Sequence, residues 1–426
     1  MKLQTQHTNW AGSYDYQADQ LHYPETLEQV QELVRHSRKV KALGTRHSFN
    51  AIADTKHDHI SLNQMNKIVT LNREQQTVTV EGGIRYGELC EFLNSEGFAL
   101  HNMASLPHIS VVGACATATH GSGNRNGNLA TAVSALEVVT ANGDLRVFTR
   151  EDKDFLGAVV GLGGVGIVTK MTLDVLPRFQ MRQDVYLNLP MNQMEAHFED
   201  IVSAAYSVSV FTTWQSEAFQ MVWLKSRVDD NAFFWNQDQF YGATKATTPV
   251  ALIAGTPVER CTEQMGTPGF WNERLPHFRV NFTPSFGEEV QSEYFVPRHN
   301  ALLAFARIHA LRDYLAPYLL ISEIRTIAAD DLWMSPCYGQ ACVGLHFTWR
   351  RNMDAVQKLL PLIERELQPL QVRPHWGKVF TLSSPYVASC YEKLPDFQQL
   401  LHEVDPEGKF RNAFLDDTIF GIKDSR

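Results

Sequence analysis

The chain has 426 residues, 44% of them hydrophobic and 11% aromatic, which is enough apolar material for a large core divided between two domains. Its formal net charge of −9 argues against a phosphate-backbone binder, so no nucleic-acid partner is expected. The start, "MKLQTQHTNWAGSYDYQ", lacks an apolar export run, and no stretch approaches a membrane span of roughly 18 apolar residues; no membrane contact and a cytoplasmic address are therefore expected. Six cysteines are scattered without a CxxC pair. Cys337 and Cys342 flank "YGQA" with no histidine at zinc spacing, so the cysteines read as thiols of a reducing compartment and no metal is expected.

In chain order, "TLEQVQELVRHSR" (26–38) places Leu27, Val30, Leu33 and Val34 on one helical face, with Thr26 and Gln29 as a capping box. Through "VKAL" it reaches Gly44, which predicts helix, strand, and then the polar loop "GTRHS" (44–48) at the strand's carboxyl end. The β-rich runs "KIVTL" and "TVTVEGG" flank the turn "NREQQ", and "YGELCEFLNSEG" reads as helix. A second glycine- and small-residue-rich segment, "ASLPHISVVGACATATHGSGNRNGN" (104–128), leads into the Asn-Gly hairpin "ALEVVTANGDLRVFT". Next comes "GLGGVG" (161–166), which matches the dinucleotide fingerprint letter for letter. That fingerprint needs a strand before it and a helix after it, to meet the pyrophosphate with a helix amino terminus. Here "DKDFLGAVV" reads as helix and "GIVTKMTLDVLP" as strand, so these glycines serve close backbone approach instead.

The segment 205–300 is rich in Trp, Phe, Gln and Asn and has little periodicity, whereas "HNALLAFARIHALRDYL" reads as an amphipathic helix. In "LLISEIRTI", Glu323 and Arg325 stand two apart, so a strand points both to one face and Ile324 to the other. In "VGLHFTWR" the same spacing pairs His346 with Thr348 and leaves Leu345, Phe347 and Trp349 for the core. Two adjacent strands of this kind make a polar floor; taken alone, the alternation also suits a solvated sheet face.

The two glycine-bearing loops, about sixty residues apart, each offer amides and hydroxyls able to bind phosphate oxygens. Either one alone also suits a tight turn over a satisfied polar core; together they could clamp one pyrophosphate. "KALGTRHSFN", "SLPHISVVGACATATHGSG" and "GLGGVGIVT" resemble the flavin-binding segments of the vanillyl-alcohol-oxidase-type fold, in its sugar-alcohol and aldonolactone oxidase branch. The resemblance continues through "SEIRTI", "GLHFTW", "RPHWGK" and "DPEGKFRNAFL" and spans nearly the whole chain. Within the branch the wording is most similar to alditol (xylitol or sorbitol) oxidases.

The resemblance implies an α+β, two-domain fold: an FAD-binding domain over 1–178 with a carboxyl-terminal return at 380–426, and a mixed-sheet cap over 179–379. It implies FAD carried covalently by His47, a neutral imidazole being a competent nucleophile toward the flavin 8α-methyl carbon. Further cofactor contacts implied are Leu43, Gly44, Thr45, Arg46, Ser48, Ser105, Ser110, Gly113, Thr119, Gly121, Ile167 and His375. The implied reaction oxidises a terminal primary alcohol of a polyol, with O2 reduced to H2O2, in a monomer. Ser105, Glu323, Arg325, Thr348 and Lys378 would meet the substrate, with Lys378, Arg325, Glu323 and His346 as the catalytic group. Lys378 of "RPHWGK" is the first choice of proton acceptor, because a neighbouring guanidinium and an apolar flavin face both lower its pKa; His346 and His375 are alternatives. An aldonolactone oxidase or dehydrogenase would share the same residues. A non-catalytic flavin- or polyol-binding protein has little use for so costly a buried charge cluster.

Overall fold

The computed structural model describes residues 8–228, 235–280 and 289–422. The chain first builds a three-stranded parallel sheet in which Asp58–Ile60 lies between Gln20–His22 and Val40–Ala42. The helix Leu27–His36 makes the crossover and buries Val30 and Val34 with Val40, Ile60 and Phe410. Thr26 caps it by accepting from the Gln29 amide. The expected reciprocal bond goes elsewhere: Gln29 Oε1 accepts from the amide of Glu25.

A five-stranded antiparallel sheet follows, in the order Ile68–Asn72, Thr77–Glu81, Ile167–Asp174, Val133–Val139, Leu145–Thr149. The Asn-Gly hairpin closes through Thr140 N–H on the Asp144 carbonyl at 2.9 Å, with Gly143 at φ +81°. "GLGGVG" runs from the helix Phe155–Val159 into the strand Ile167–Asp174, the reverse of a dinucleotide turn. Gly166 has φ +138°, and a Cβ there would lie 2.5 Å from the Val139 carbonyl oxygen, so the strands approach closely only without a side chain.

The second half is dominated by a ten-stranded sheet whose pairs are antiparallel. Its middle runs Ala218–Arg227, Ser207–Thr212, Leu319–Ile327, Cys342–Arg350, Glu289–Pro297. Parallel and antiparallel pairing thus both occur, in separate sheets. Register sets Glu293 opposite His346, His346 opposite Glu323, and Glu323 opposite Phe211. Because side chains alternate, Ile324, Leu345, Phe347 and Tyr294 fall on the opposite face. There they share one core with Phe198, Phe305 and Ile363 of the helices Met191–Val202, Ala301–Ala310 and Met353–Leu367. The long amphipathic helix expected over 299–315 is divided at Leu311 into Ala301–Ala310 and Arg312–Leu315. The last described stretch returns to the first half: Asn412 donates to the carbonyls of Ala51, Ile52 and Asp54. Among the described residues no helix is long and apolar enough to cross a membrane.

Candidate active site

A cavity of about 620 Å³ lies between the loops of the first half and the polar face of the large sheet, a size typical of cofactor and substrate sites. Leu43, Gly44, Thr45, Arg46, His47 and Ser48 line it, together with Ser105, Ser110, Gly113 and Thr119. Thr45 joins the two loops: its hydroxyl accepts the Ser110 amide at 3.1 Å and lies 3.0 Å from His47 Nδ1. Trp10 stacks on the His47 ring at 4.9 Å. Burial, with His108 nearby, lowers the His47 pKa to about 3, so the ring is neutral. His47 Nε2 is buried with no partner among the described residues.

The backbone around it is cleared for a ligand. A Cβ on Gly44 or on Gly113 would stand 2.6 Å from Ser110 Oγ. The amides of Gly44, Thr45, His47 and Ser48 meet no acceptor among the described residues. Buried Lys41 donates to the Gly163 carbonyl at 2.9 Å, within the "GLGGVG" turn, and burial lowers its pKa to about 7. Unpaired amides and a buried lysine amine, beside an orphaned imidazole nitrogen, fit an anionic, planar dinucleotide such as FAD.

Two expected contacts are corrected. Ile167 does not reach the cavity; it is buried in the core with Val30, Val139 and Phe410, and its neighbours Gly166 and Val168 form the wall instead. Gly121 is also off the wall, because it packs against the Asn102 side chain, and its carbonyl oxygen lies 2.8 Å from His120 Nδ1.

At the other end the large sheet supplies Glu323, Arg325, His346 and Thr348 from adjacent strands, with His375 and Lys378 from the segment that follows Arg373–Pro374. All six are buried or nearly so: the polar face is a cavity floor, not a solvated surface. Its centre is a residue the sequence did not single out. Glu293, 1% exposed, accepts Lys378 Nζ at 2.6 Å, His120 Nε2 at 3.0 Å and an Arg325 guanidinium nitrogen at 3.1 Å. Burial opposes its charge, but Lys378, His120 and Arg325 outweigh it and hold the carboxyl well below the usual range. For Lys378, burial and Arg325 lower the pKa as expected, while Glu293 pulls the other way. Arg325 also lies 3.4 Å from Glu323 and 3.5 Å from Ser105 Oγ.

Hydrogen bonds fix the two other base candidates. The Gln291 amide donates to Glu289 Oε1 at 2.6 Å, which turns its oxygen toward His346 Nε2 at 3.2 Å. An amide oxygen only accepts, so His346 carries its proton on Nε2 and keeps the Nδ1 lone pair. Burial and Lys378 lower its pKa to about 3. His375 is the converse case: its Nδ1 accepts the Gly377 amide at 3.1 Å, so its lone pair is already used. The residues missed from sequence are Glu293, Gln291, Glu289, His120 and His277, all on the cavity wall. A signal existed for three: Glu289, Gln291 and Glu293 are spaced by two in "EVQSEYF", the same pattern as Glu323 and Arg325.

The chain resembles known proteins along nearly its whole length. The chain is 43% identical over 422 residues to an alditol oxidase of Streptomyces sp., covering 98% of this chain and 100% of the relative. The chain belongs to the alditol oxidase family, among the vanillyl-alcohol-oxidase-type flavoproteins. Residues 18–149 match the FAD binding domain and residues 278–418 match the D-arabinono-1,4-lactone oxidase family model. The former holds the 43–48 and 104–119 loops; the latter holds most of the charged floor. Family membership makes the protein an FAD-dependent oxidoreductase. It is also similar to an L-gulonolactone oxidase of Scyliorhinus torazame, at 24% identity over 97% of this chain and 98% of the relative. The fold is that of cholesterol oxidase from B. sterolicum, with a TM-score of 0.75 at 14% identity over 97% of this chain and 96% of that one.

Proposed function

We propose that the protein oxidises the terminal primary alcohol of a straight-chain alditol such as xylitol or sorbitol, R–CH2OH + O2 → R–CHO + H2O2. The observation that carries this reading is the floor itself: two buried carboxylates, two buried cations and the hydroxyls of Thr348 and Ser105 share one cavity with the loops of the FAD-binding segment. A row of donors and acceptors suits a chain of hydroxyls. FAD held there supplies the acceptor for the hydride that leaves C1. In this reading residues 1–178 and 380–426 hold the cofactor, with His47 as its covalent attachment, and 179–379 cover it.

The chain's own groups divide the remaining work. Arg325 and Lys378 are donors; their charge stabilises the C1 oxygen as it loses its proton, a contribution largest where water is excluded. Lys378 stays an ammonium because Glu293 lies 2.6 Å away, so the proton goes to His346 Nδ1, the lone pair left free by Gln291. Glu323, Thr348 and Ser105 hold the further hydroxyls and fix which carbon is presented.

Anaerobic xylitol should bleach the yellow protein, and in air one peroxide should form per aldose. After acid precipitation the flavin should stay in the pellet, and digestion should give a flavin peptide containing His47; free FAD in the supernatant overturns the covalent link. The match of 278–418 to the D-arabinono-1,4-lactone oxidase model favours a second reading, lactone oxidation. That reading wins if an aldonolactone exceeds xylitol by tenfold or more in kcat/KM, about 1.4 kcal/mol.

A further inference from the structure

Lys225 is a buried lysine without an evident purpose. It sits in the interior strand Ala218–Arg227, 1% exposed, and makes no ion pair among the described residues. An isolated buried ammonium is costly and survives where something uses it.

Its three hydrogens have three acceptors: the carbonyls of Leu275 at 2.6 Å and Pro276 at 2.8 Å, and His277 Nδ1 at 3.1 Å. Burial lowers the Lys225 pKa to about 7, with Glu323 opposing. The Glu323 carboxylate beyond the ring only accepts, so Nδ1 accepts from Lys225 and the single proton of a neutral His277 ring lies on Nε2. That nitrogen is 2.7 Å from Glu323 Oε1. The ring is held edge-on by Phe211 and Trp223, at 5.7 and 5.1 Å, and its backbone is tied down by the Ser105 carbonyl and the Thr262 amide. Burial lowers the His277 pKa to about 4, with Glu323 opposing, which keeps the ring neutral. Glu323 Oε1 is therefore engaged by His277 and by Arg325 Nε at 3.4 Å, while Oε2 has no partner among the described residues.

We propose that Lys225 and His277 are positioning residues for the substrate: Lys225 donates to His277 Nδ1 and holds the ring in place, and His277 pins Glu323 Oε1 so that Oε2 is presented to a hydroxyl of the alditol chain. The relay Lys225–His277–Glu323 joins a buried amine to a buried carboxylate across a neutral ring. Its role is to select a polyhydroxylated chain, which places its effect on binding rather than on the chemical step. The inference rests on the alditol reading for the ligand but not for the tautomer.

Two measurements separate these. In holoenzyme labelled with 15N-histidine, with the His277 signal assigned by its loss in His277→Asn, the ring should be the Nε2–H tautomer. In Lys225→Met the ring should stay Nε2–H, held by Glu323, but Nδ1 loses its donor and its 15N resonance should move downfield toward that of an unbonded ring nitrogen. An Nδ1–H ring or an imidazolium in the parent at neutral pH, or an identical His277 signal in both proteins, overturns the relay, whatever the substrate. In steady state, Lys225→Met should raise the KM for xylitol about tenfold or more, the value of a charge-assisted hydrogen bond, with kcat little changed. In the Glu323→Gln background the same substitution should add nothing further to KM. Additive effects mean that Lys225 acts through the general fold and overturn the proposal. If the tautomer result holds but the parent does not oxidise alditols, the functional reading fails and the relay stands.

Discussion

Glu293→Gln is the most revealing single change, because it alters one charge while keeping the side chain's shape. The remaining amide oxygen can still accept from His120 and Arg325, and Arg325 keeps Glu323 at 3.4 Å. The new amide nitrogen faces Lys378, donor against donor, in place of a 2.6 Å ion pair. A buried charge stripped of its partner costs about 3 to 5 kcal/mol. Deprotonating a lysine of ordinary pKa at pH 7 costs about as much, roughly 4 to 5 kcal/mol. Burial and Arg325 have already lowered Lys378, so deprotonation is the cheaper escape, and without Glu293 its pKa drops further. The variant should therefore fold, yet carry a neutral amine where the parent has a cation against the substrate oxygen. Losing one such donor slows reaction by about 10² to 10³, about 3 to 4 kcal/mol. The assay is anaerobic stopped-flow reduction of the flavin by xylitol. The rate should fall by that factor at pH 7 and recover in part toward about pH 5.5, as the amine regains its proton. A variant that reduces its flavin near the parental rate at pH 7, or a loss that acid does not relieve, refutes the assignment of Lys378 as a Glu293-held cation.

The proton acceptor can be identified from pH alone. A His346 pKa of about 3 leaves the ring neutral at all higher pH, so parental kcat/KM should be flat from about pH 5 to about 8; a tenfold rise per pH unit would return the role to a deprotonating Lys378. His346→Gln should slow flavin reduction by about 10² to 10⁴, measured in the same stopped-flow experiment. Thr348→Ala removes a hydroxyl from the floor without touching the charges, and should raise the KM for xylitol several-fold, about 1 kcal/mol, at nearly constant kcat. Gly44→Ala sets a Cβ 2.6 Å from Ser110 Oγ and should lower the flavin-to-protein absorbance ratio; Gly44→Ala with Ser110→Ala should restore it, and failure to do so would mean that the loops are not limited by that contact.

Strand alternation is a local property, and where it was followed it led to the right face: Glu323, Arg325, His346 and Thr348 do lie together over the cavity. Followed through "EVQSEYF", the same count would have added Glu289, Gln291 and Glu293. What no period carries is which strands become neighbours, because pairing between positions far apart in sequence depends on the whole sheet. Glu293 is hub of the site only because its strand lies beside Cys342–Arg350, and that in turn beside Leu319–Ile327. The floor therefore read as two charge-bearing strands, open to water or not, and the pairing of Lys378 with a buried carboxylate was invisible. That omission bears on mechanism: burial and a guanidinium alone favour a neutral Lys378, whereas Glu293 at 2.6 Å opposes the loss of its proton, and the choice of proton acceptor between Lys378 and His346 turns on that contact. Ile167 errs in the opposite direction. Its place after "GLGGVG" is correct, but alternation along Ile167–Asp174 turns it into the core and leaves its neighbours at the wall. Both cases have one cause: a motif fixes the path of the backbone, while the partner strands decide what each side chain meets.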